Sequence, residues 1–223
     1  MENSVVQKKP VPRPSGKSFQ GVVKRSLDII LSLILLMILT PVYVFIAAAI
    51  YIEDGGPVLF RQTRTGKDEK LFRMYKFRSM RVVMKEERSD GKMYSWTNGV
   101  PDDFVFKSCS EWHPDVTRVG RFIRKFSLDE LPQLVNVLKG EMSMIGPRPE
   151  VPEITDCYSP SQKRRLEVKP GITGWAQVNG RSEINHGQKV HFDNHYVDHL
   201  SLKMDVKIFF LTILQVLKGK GAV

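Results

Sequence analysis

Residues 126–150 read FSLDELPQLVNVLKGEMSMIGPRPE, and this stretch decides how the rest of the chain is interpreted. Four apolar residues recur at the spacing of one helical face: Leu131, Leu134, Val135 and Leu138. Pro132 is tolerated only in a first helical turn, where backbone N–H groups have no intrahelical partner. Asp129 is therefore the expected N-cap, and Gly140 the expected stop. The pattern predicts a short, core-packed helix that the acidic pair Asp129–Glu130 opens.

An acidic pair at a helix start has two interpretations. Asp is a common N-cap and Glu complements the helix dipole, so Asp129 and Glu130 can be purely structural. The alternative is a site for an anionic substrate, because prolines on both sides of Arg148 fix its backbone. A stiffly mounted guanidinium suits a phosphate or carboxylate, and a helix N-terminus favours the same ligands.

Composition limits the classes of protein that the chain can represent. Its 223 residues, 42% of them hydrophobic, are enough for one globular domain with an appendage. A net charge of +10 favours an anionic partner, either nucleic acid, anionic lipid or a phosphorylated substrate. Cys109 and Cys157 show no disulfide or metal-site spacing, which fits a reducing compartment.

Two N-terminal units precede the globular part. Residues 1–23 are rich in proline and lysine and are predicted to be a disordered basic tail. Residues 24–53 are predicted to be a membrane helix, because the almost wholly apolar run exceeds the roughly 20 residues that cross a bilayer. The run starts too late and is too long for a cleavable signal peptide. Pro41 at its centre, with basic residues on both sides, favours a re-entrant helix; an ordinary spanning helix is the alternative.

Residues 54–223 are predicted to form a small, mostly helical domain with a short β-hairpin, so the fold class is α+β. The predicted hairpin strands are Val58–Gln62 and Leu71–Phe77. Lys76 lies among aromatic residues at the end of the second strand. Residues 82–114 are polar and rich in turn residues, which predicts an excursion loop with some packing of its own. A basic helix that contains Arg124 leads into the acidic pair.

The C-terminal third adds a loop and three helices. Residues 169–181 carry glycines and prolines that predict turns and close backbone approach. Residues 160–168 resemble a charged helix. His191, His195 and His199 share a helical face, so a transition-metal site is an alternative to a polar surface. Residues 201–217 predict an amphipathic helix lying on anionic lipid, with Asp205 as an isolated acid.

Taken together and in order, these motifs resemble those of a known family. The resemblance runs from residue 24 to about 218 and covers KRSLD at 24–28, Pro41, FRQTRTG at 60–66, YKFRSM at 75–80, SLDELPQL at 127–134, GPRP at 146–149 and KPGITGWAQVNGR at 169–181. The chain resembles the bacterial sugar transferases, the monotopic phosphoglycosyl transferases that load a sugar phosphate onto polyprenol phosphate. Residues 86–114 look longer than the corresponding connection in compact members, and the motifs do not specify the sugar.

The resemblance implies roles for particular residues. Asp129 would attack the β-phosphate of a UDP-sugar, expel UMP and hold the sugar phosphate covalently until undecaprenyl phosphate attacks it. Glu130, the second catalytic residue, would position the acceptor or take its proton. Phosphate binding would fall to four residues: Lys76, Arg124, Arg148 and Asp205. Mg²⁺ would be the cofactor, with Asp129 as its ligand. As an N-cap, Asp129 would also remain ionised.

The resemblance further implies partners and a location. These are a UDP-sugar, undecaprenyl phosphate and the lipid bilayer, with a homodimer as a further expectation and no nucleic acid. The implied location is the bacterial inner membrane, with the catalytic domain on its cytoplasmic face. Two alternatives stay open: a membrane-tethered basic module that binds nucleic acid or lipid, and a metal-dependent phosphoesterase that uses Asp129 and the histidines.

Overall fold

The computed structural model describes residues 19–81, 94, 96–105, 113–180 and 184–217. Its helices are α1 Phe19–Asp54, α2 Arg118–Lys125, α3 Gln133–Lys139, α4 Pro152–Thr155, α5 Pro160–Lys163, α6 Trp175–Asn179, α7 His186–Asp198 and α8 Leu202–Leu217. Its strands are β1 Leu59–Thr65, β2 Leu71–Phe77, β3 Ser143–Ile145 and β4 Gly171–Thr173. This mixture of helices and small sheets confirms the α+β prediction at that level.

Helix α1 lies along the domain and contacts it near both ends. It is continuous for 36 residues through Pro41, and it is long and apolar enough to cross a membrane. Its buried residues recur with the helical period and so share one face: Asp28, Ser32, Ile46 and Ile50. The opposite face exposes large apolar side chains, including Ile30, Met37 and Phe45. The helix includes residues 19–23, which the sequence assigned to the tail; residues 1–18 lie outside the described residues.

Polar contacts fix the two ends of α1 to the domain. Arg25 donates from Nη1 to the carbonyl oxygen of Val137 at 2.6 Å, near the C-terminus of α3. At the other end, the Glu53 carboxylate accepts hydrogen bonds from the backbone N–H groups of Arg118 and Val119, at 2.7 and 2.8 Å. Those N–H groups open α2, so Glu53 caps the helix together with its N-cap residue Thr117, whose hydroxyl accepts from the Gly120 N–H. The long apolar helix α1 is therefore attached to the domain at both ends.

The hairpin is confirmed, and α3 packs on it through a polar contact. Strands β1 and β2 pair antiparallel, with Leu59 opposite Phe77 and Thr65 opposite Leu71. Asn136, wholly buried on α3, accepts a hydrogen bond from the backbone N–H of Tyr75 at 3.0 Å and donates to the carbonyl of Arg73 at 2.8 Å. These bonds fix α3 against β2.

Two details predicted for α3 are wrong. Asp129 is not its N-cap: Ser127 adopts a left-handed backbone (φ 55°) and starts a 3-10 turn over Leu128–Glu130, and α3 begins only at Gln133. The predicted buried face is also rotated, because Val135 is exposed while Asn136 is buried. Hydrogen bonds to β2 stabilise a polar residue where hydropathy favours an apolar one. The predicted stop at Gly140 is confirmed by its left-handed backbone, φ 83°.

The glycine-rich segment makes the predicted close backbone approach. Strands β3 and β4 pair in parallel, with Ser143 opposite Gly171. A Cβ atom on Gly171 would lie 2.1 Å from the backbone nitrogen of Gly146, so no larger residue fits there. Residues 181–183 of this segment lie outside the described residues.

The remaining helices follow the predictions with small changes. Helices α2, α7 and α8 form as expected, whereas the charged helix predicted at 160–168 is divided into α5 and a 3-10 turn over Arg164–Glu167. The described part of the excursion loop packs aromatic rings together: those of Tyr94 and Trp96 are stacked with centroids 4.5 Å apart. Residues 82–93, 95 and 106–112 of that loop lie outside the described residues.

Candidate active site

The acidic pair lies in the 3-10 turn between α2 and α3, and both residues are 8% exposed. On one side the turn contacts β2, whose last residues include Lys76. On the other side lies helix α1, where the Tyr43 hydroxyl donates to the carbonyl oxygen of Leu131 at 2.6 Å. The pair is therefore held between the hairpin and the long apolar helix.

Glu130 is bound by two cations. Arg148 donates from Nη2 to Oε1 at 2.5 Å and from Nη1 to Oε2 at 3.3 Å, and Lys76 Nζ donates to Oε1 at 2.8 Å. Burial alone would raise the pKa of Glu130, but the charges of Arg148 and Lys76 outweigh burial and hold that pKa well below its usual range. Glu130 consequently remains ionised, and the pKa of Arg148 is raised by the same contact.

Asp129 has a different environment. Lys76 Nζ lies 3.6 Å from its Oδ2, a charge contact longer than a hydrogen bond. Burial raises the pKa of Asp129; the charge of Lys76 opposes this, and that of Glu130 adds to it. Because Asp129 does not cap α3, the N-terminus of that helix does not stabilise its ionised form in the way predicted. Of the two carboxylates, Asp129 binds protons more tightly.

The structure brings three of the four predicted phosphate-binding residues to the pair. Lys76 and Arg148 contact it directly, and Arg124, in the last turn of α2, lies close enough for its charge to lower the pKa of Asp129. The Arg148 side chain remains 48% exposed, so its guanidinium can reach a bound anion. These cations surround a buried carboxylate, an arrangement suited to an anionic substrate.

Asp205 has other partners. Its Oδ2 accepts from Lys24 Nζ at 2.7 Å, and its Oδ1 accepts from the Tyr196 hydroxyl at 2.7 Å. The same two donors also bind the carbonyl oxygen of Ile145, at 3.1 and 3.2 Å. Asp205 thus joins α8 to the start of α1 and to β3, and the structure gives it no contact with the acidic pair within the described residues.

A metal ion was predicted at Asp129. In the part of the chain that the structure describes, no three His, Cys, Asp or Glu side chains are grouped to hold one, so the histidine-based alternative gains no support. His195 and His199 instead stack their rings, with centroids 4.2 Å apart. Mg²⁺ needs less from a protein, because one or two carboxylates plus substrate phosphates suffice. The buried Asp129 carboxylate fits that requirement.

Comparison with known proteins identifies the family. Residues 19–219 match the family described as bacterial sugar transferase, a span that includes every described element. The chain belongs to the bacterial sugar transferase family. This confirms the resemblance drawn from the motifs.

Relatives within the sugar transferase family cover nine tenths of the chain. The chain is 41% identical over 200 residues to the uncharacterized sugar transferase EpsL of Bacillus subtilis, covering 90% of each protein. It is 43% identical over 202 residues to the galactosyl transferase CpsE of Streptococcus agalactiae. It is 40% identical over 209 residues to the UDP-glucose:undecaprenyl-phosphate glucose-1-phosphate transferase of Escherichia coli. The chain spans less than half of the last two relatives, 43% and 41% of their lengths.

Proposed function

We propose that this sugar transferase moves a sugar 1-phosphate from a UDP-sugar to undecaprenyl phosphate and releases UMP. The main observation that supports this proposal is the buried Asp129 carboxylate, which lies among the cations Lys76, Arg124 and Arg148. The name of the Escherichia coli relative specifies a UDP-sugar donor and an undecaprenyl-phosphate acceptor, and a Salmonella typhimurium relative, 41% identical over 213 residues, is named an undecaprenyl-phosphate galactose phosphotransferase. The family assignment and the cation cluster support the same reaction class.

The proposed reaction has two displacement steps at one phosphorus atom. An ionised Asp129 oxygen attacks the β-phosphorus, a bond forms between them, and the bond from the β-phosphorus to the bridging oxygen breaks. UMP departs with that oxygen. A phosphate oxygen of the acceptor then attacks the same phosphorus, and the Asp129 carboxylate leaves unchanged. The raised pKa of Asp129 makes it a stronger nucleophile once it is ionised.

The neighbouring residues would stabilise charge. Lys76, Arg124 and Arg148 would neutralise the developing negative charge on the diphosphate. Glu130 would orient Lys76 and Arg148, since both of its oxygens accept hydrogen bonds from them. Mg²⁺ held by Asp129 and the substrate phosphates would supply further positive charge. The phosphate-binding role that the resemblance implies for Asp205 stays a prediction; in the structure its carboxylate binds Lys24 and Tyr196.

The membrane arrangement of α1 supports a lipid acceptor. The contacts of α1 with the domain at Lys24 and at Asp54 support the proposal that both of its ends lie on one side of a bilayer. Its exposed apolar face would then be immersed in the adjacent leaflet, as a re-entrant anchor requires, and α8 adds exposed apolar side chains such as Phe210. This arrangement is consistent with a membrane-bound enzyme; the cytoplasmic face of the bacterial inner membrane is the position that the family resemblance implies.

An apolar cleft lies between α1 and α2. Its volume is about 410 Å³, and its lining is apolar except for Arg118 at one edge. The lining includes Phe45, Phe122 and Leu128, the residue before Asp129. We assign this cleft to the first isoprene units of the acceptor, whose phosphate would then reach the cation cluster.

The test measures UMP release in nanodiscs with Mg²⁺, a panel of UDP-sugars and undecaprenyl phosphate. We expect sustained release with acceptor, and a sugar-phosphate adduct on Asp129, detected by mass spectrometry, when the acceptor is withheld. Asp129→Asn should abolish both, whereas Glu69→Gln, at an exposed surface carboxylate, should preserve both. Release of free sugar phosphate without acceptor would instead indicate a phosphoesterase. Full turnover by Asp129→Asn would exclude the proposed mechanism.

A further inference from the structure

The loop that carries Arg148 has its backbone fixed through its carbonyl groups. Four consecutive carbonyl oxygens, of residues 147–150, each accept a hydrogen bond, and the donors come from three parts of the chain: strand β1, Arg165 and Gly171. The pairs are Gly171 N to Pro147 O at 2.9 Å, Arg165 Nη2 to Arg148 O at 2.9 Å, Arg64 Nη1 to Pro149 O at 3.3 Å and Thr65 N to Glu150 O at 3.0 Å. Two of the four donors are therefore arginine side chains.

Arg165 is the more buried of these two arginines, at 3% exposed. Its Nη1 donates to the Tyr158 hydroxyl at 2.6 Å, and its Nη2 lies 2.7 Å from Oδ2 of Asp193, which is 1% exposed on α7. A buried charge without a partner is unfavourable, and the Asp193 carboxylate compensates the positive charge of the Arg165 guanidinium. A group enclosed in this way cannot bind substrate itself.

Arg148 connects this buried cluster to the active site. Its carbonyl oxygen accepts from Arg165, while its guanidinium donates twice to Glu130, the neighbour of Asp129. The prolines at 147 and 149 restrict the backbone on both sides, so a displacement at the Arg148 carbonyl passes to its side chain. The chain of contacts runs from Asp193 through Arg165 and Arg148 to Glu130.

We propose that Arg165, paired with Asp193, is a positioning residue that fixes the backbone of Arg148 and thereby the orientation of Glu130 beside Asp129. This inference rests on the proposed function for its kinetic consequence. Arginine suits the position because its planar group presents Nη2 to the Arg148 carbonyl and the Asp193 carboxylate, and Nη1 to the Tyr158 hydroxyl. A lysine ammonium donates from a single atom and cannot reach all three acceptors at once.

The kinetic test compares two neighbouring arginines in the full chain in nanodiscs. Arg165→Gln should lower kcat for UMP release by about 10- to 100-fold, with little change in the KM for the UDP-sugar, because misplaced groups lose transition-state contacts. Arg164→Gln is the matched control: it lies on the same 3-10 turn, its side chain is 41% exposed, and it pairs with Asp198 at the surface. Arg165→Lys should recover part of the loss.

A double substitution tests whether Arg165 acts through Arg148. If it does, Arg165→Gln should add little to the loss caused by Arg148→Ala, because the connecting residue is already gone. Multiplicative losses would overturn the proposal, as would equal kcat values for Arg165→Gln and Arg164→Gln. If Arg165→Gln does not fold, Arg165→Lys carries the test, and wild-type kcat in that variant would overturn the proposal.

Hydrogen–deuterium exchange tests the contact independently of activity. We expect faster exchange over residues 144–151 in Arg165→Gln, or in Arg165→Lys, than in the wild type or Arg164→Gln. Unchanged exchange there would overturn the proposal even if no UDP-sugar gave UMP. A wild-type protein that releases no UMP while the variant shows faster exchange would refute the proposed function and leave the positioning contact supported.

Discussion

Arg148 binds Glu130 through two nitrogens, with Nη2 2.5 Å from Oε1 and Nη1 3.3 Å from Oε2. Lys76 binds the same carboxylate at 2.8 Å, yet it lies 3.6 Å from Asp129. The two adjacent acids therefore differ in their surroundings: Glu130 binds two cations directly, whereas Asp129 has one cation at a longer distance. This difference underlies the predictions for activity.

Removing the charge of Glu130 should displace the two cationic side chains that bind it, those of Lys76 and Arg148. Glu130→Gln leaves Arg148 and Lys76 without their anion, so we expect kcat for UMP release to fall by about 10²- to 10³-fold. Steady-state kinetics with saturating acceptor measure the effect. Glu69→Gln, which removes a carboxylate that is 57% exposed, is the control. Equal rates for the two variants would separate Glu130 from the reaction.

The pH profile should report Asp129. Asp129 attacks only when ionised, and burial raises its pKa above the ordinary value of 3.8, so activity should be lost on acidification at a pH higher than an ordinary Asp would give. Glu130 stays ionised in that range because its pKa is lowered. Arg148→Ala removes a charge that lowers the pKa of Asp129, so the acid limb of kcat/KM should move to higher pH. An unmoved limb would assign it to another group.

The ion pair between Lys24 and Asp205 should contribute to stability. The described side-chain donors to the largely buried Asp205 carboxylate are Lys24 and the Tyr196 hydroxyl. Lys24→Met removes the first of them, so the free energy of unfolding should fall by about 1–3 kcal/mol. Thermal unfolding in one lipid composition measures this, with Lys203→Met, on the exposed surface of α8, as the control. Asp205→Asn combined with Lys24→Met should cost less than the two single changes added together. Additive losses would contradict a direct pairing.

The arrangement of α1 should be visible by cysteine labelling. Gln20→Cys places an exposed thiol in the first turn of the helix and Lys70→Cys places one after its end, in a chain whose Cys109 and Cys157 are replaced by serine. We expect a membrane-impermeant reagent to label both thiols only from the cytoplasmic side. Labelling from opposite sides would restore an ordinary spanning helix.

Local patterns predicted much of the fold. The bounds of β2 are those expected from its alternation and flanking turn residues, and α8 begins one residue from its predicted start. The N-cap assignment of Asp129 is wrong because the left-handed backbone of Ser127 inserts a 3-10 turn, which no short motif announces. The buried face of α3 is wrong because the hydrogen bonds of Asn136 to β2 depend on tertiary contact.

The sequence predicted which residues belong to the candidate site more fully than it predicted their contacts with one another. Acidic and basic motifs indicated Asp129, Glu130 and Arg148, but the 2.8 Å contact of Lys76 with Glu130 depends on how β2 packs against α3. Arg165 was missed, since its partner is a backbone carbonyl 17 residues away, and such an acceptor leaves no trace in side-chain patterns. Residues that bind backbone atoms are therefore the part of a site least accessible from sequence.

The hydrogen bond from Tyr43 to Leu131 ends two residues from Asp129. Its donor belongs to the helix whose outer face is apolar, and its acceptor to the segment that joins the acidic pair to α3. Solvents that loosen α1, such as harsh detergents, would accordingly damage the reaction centre itself as well as its attachment. With α1 in a bilayer as proposed, the surrounding lipid would help to hold the candidate site in place, so rates should be measured in native-like bilayers.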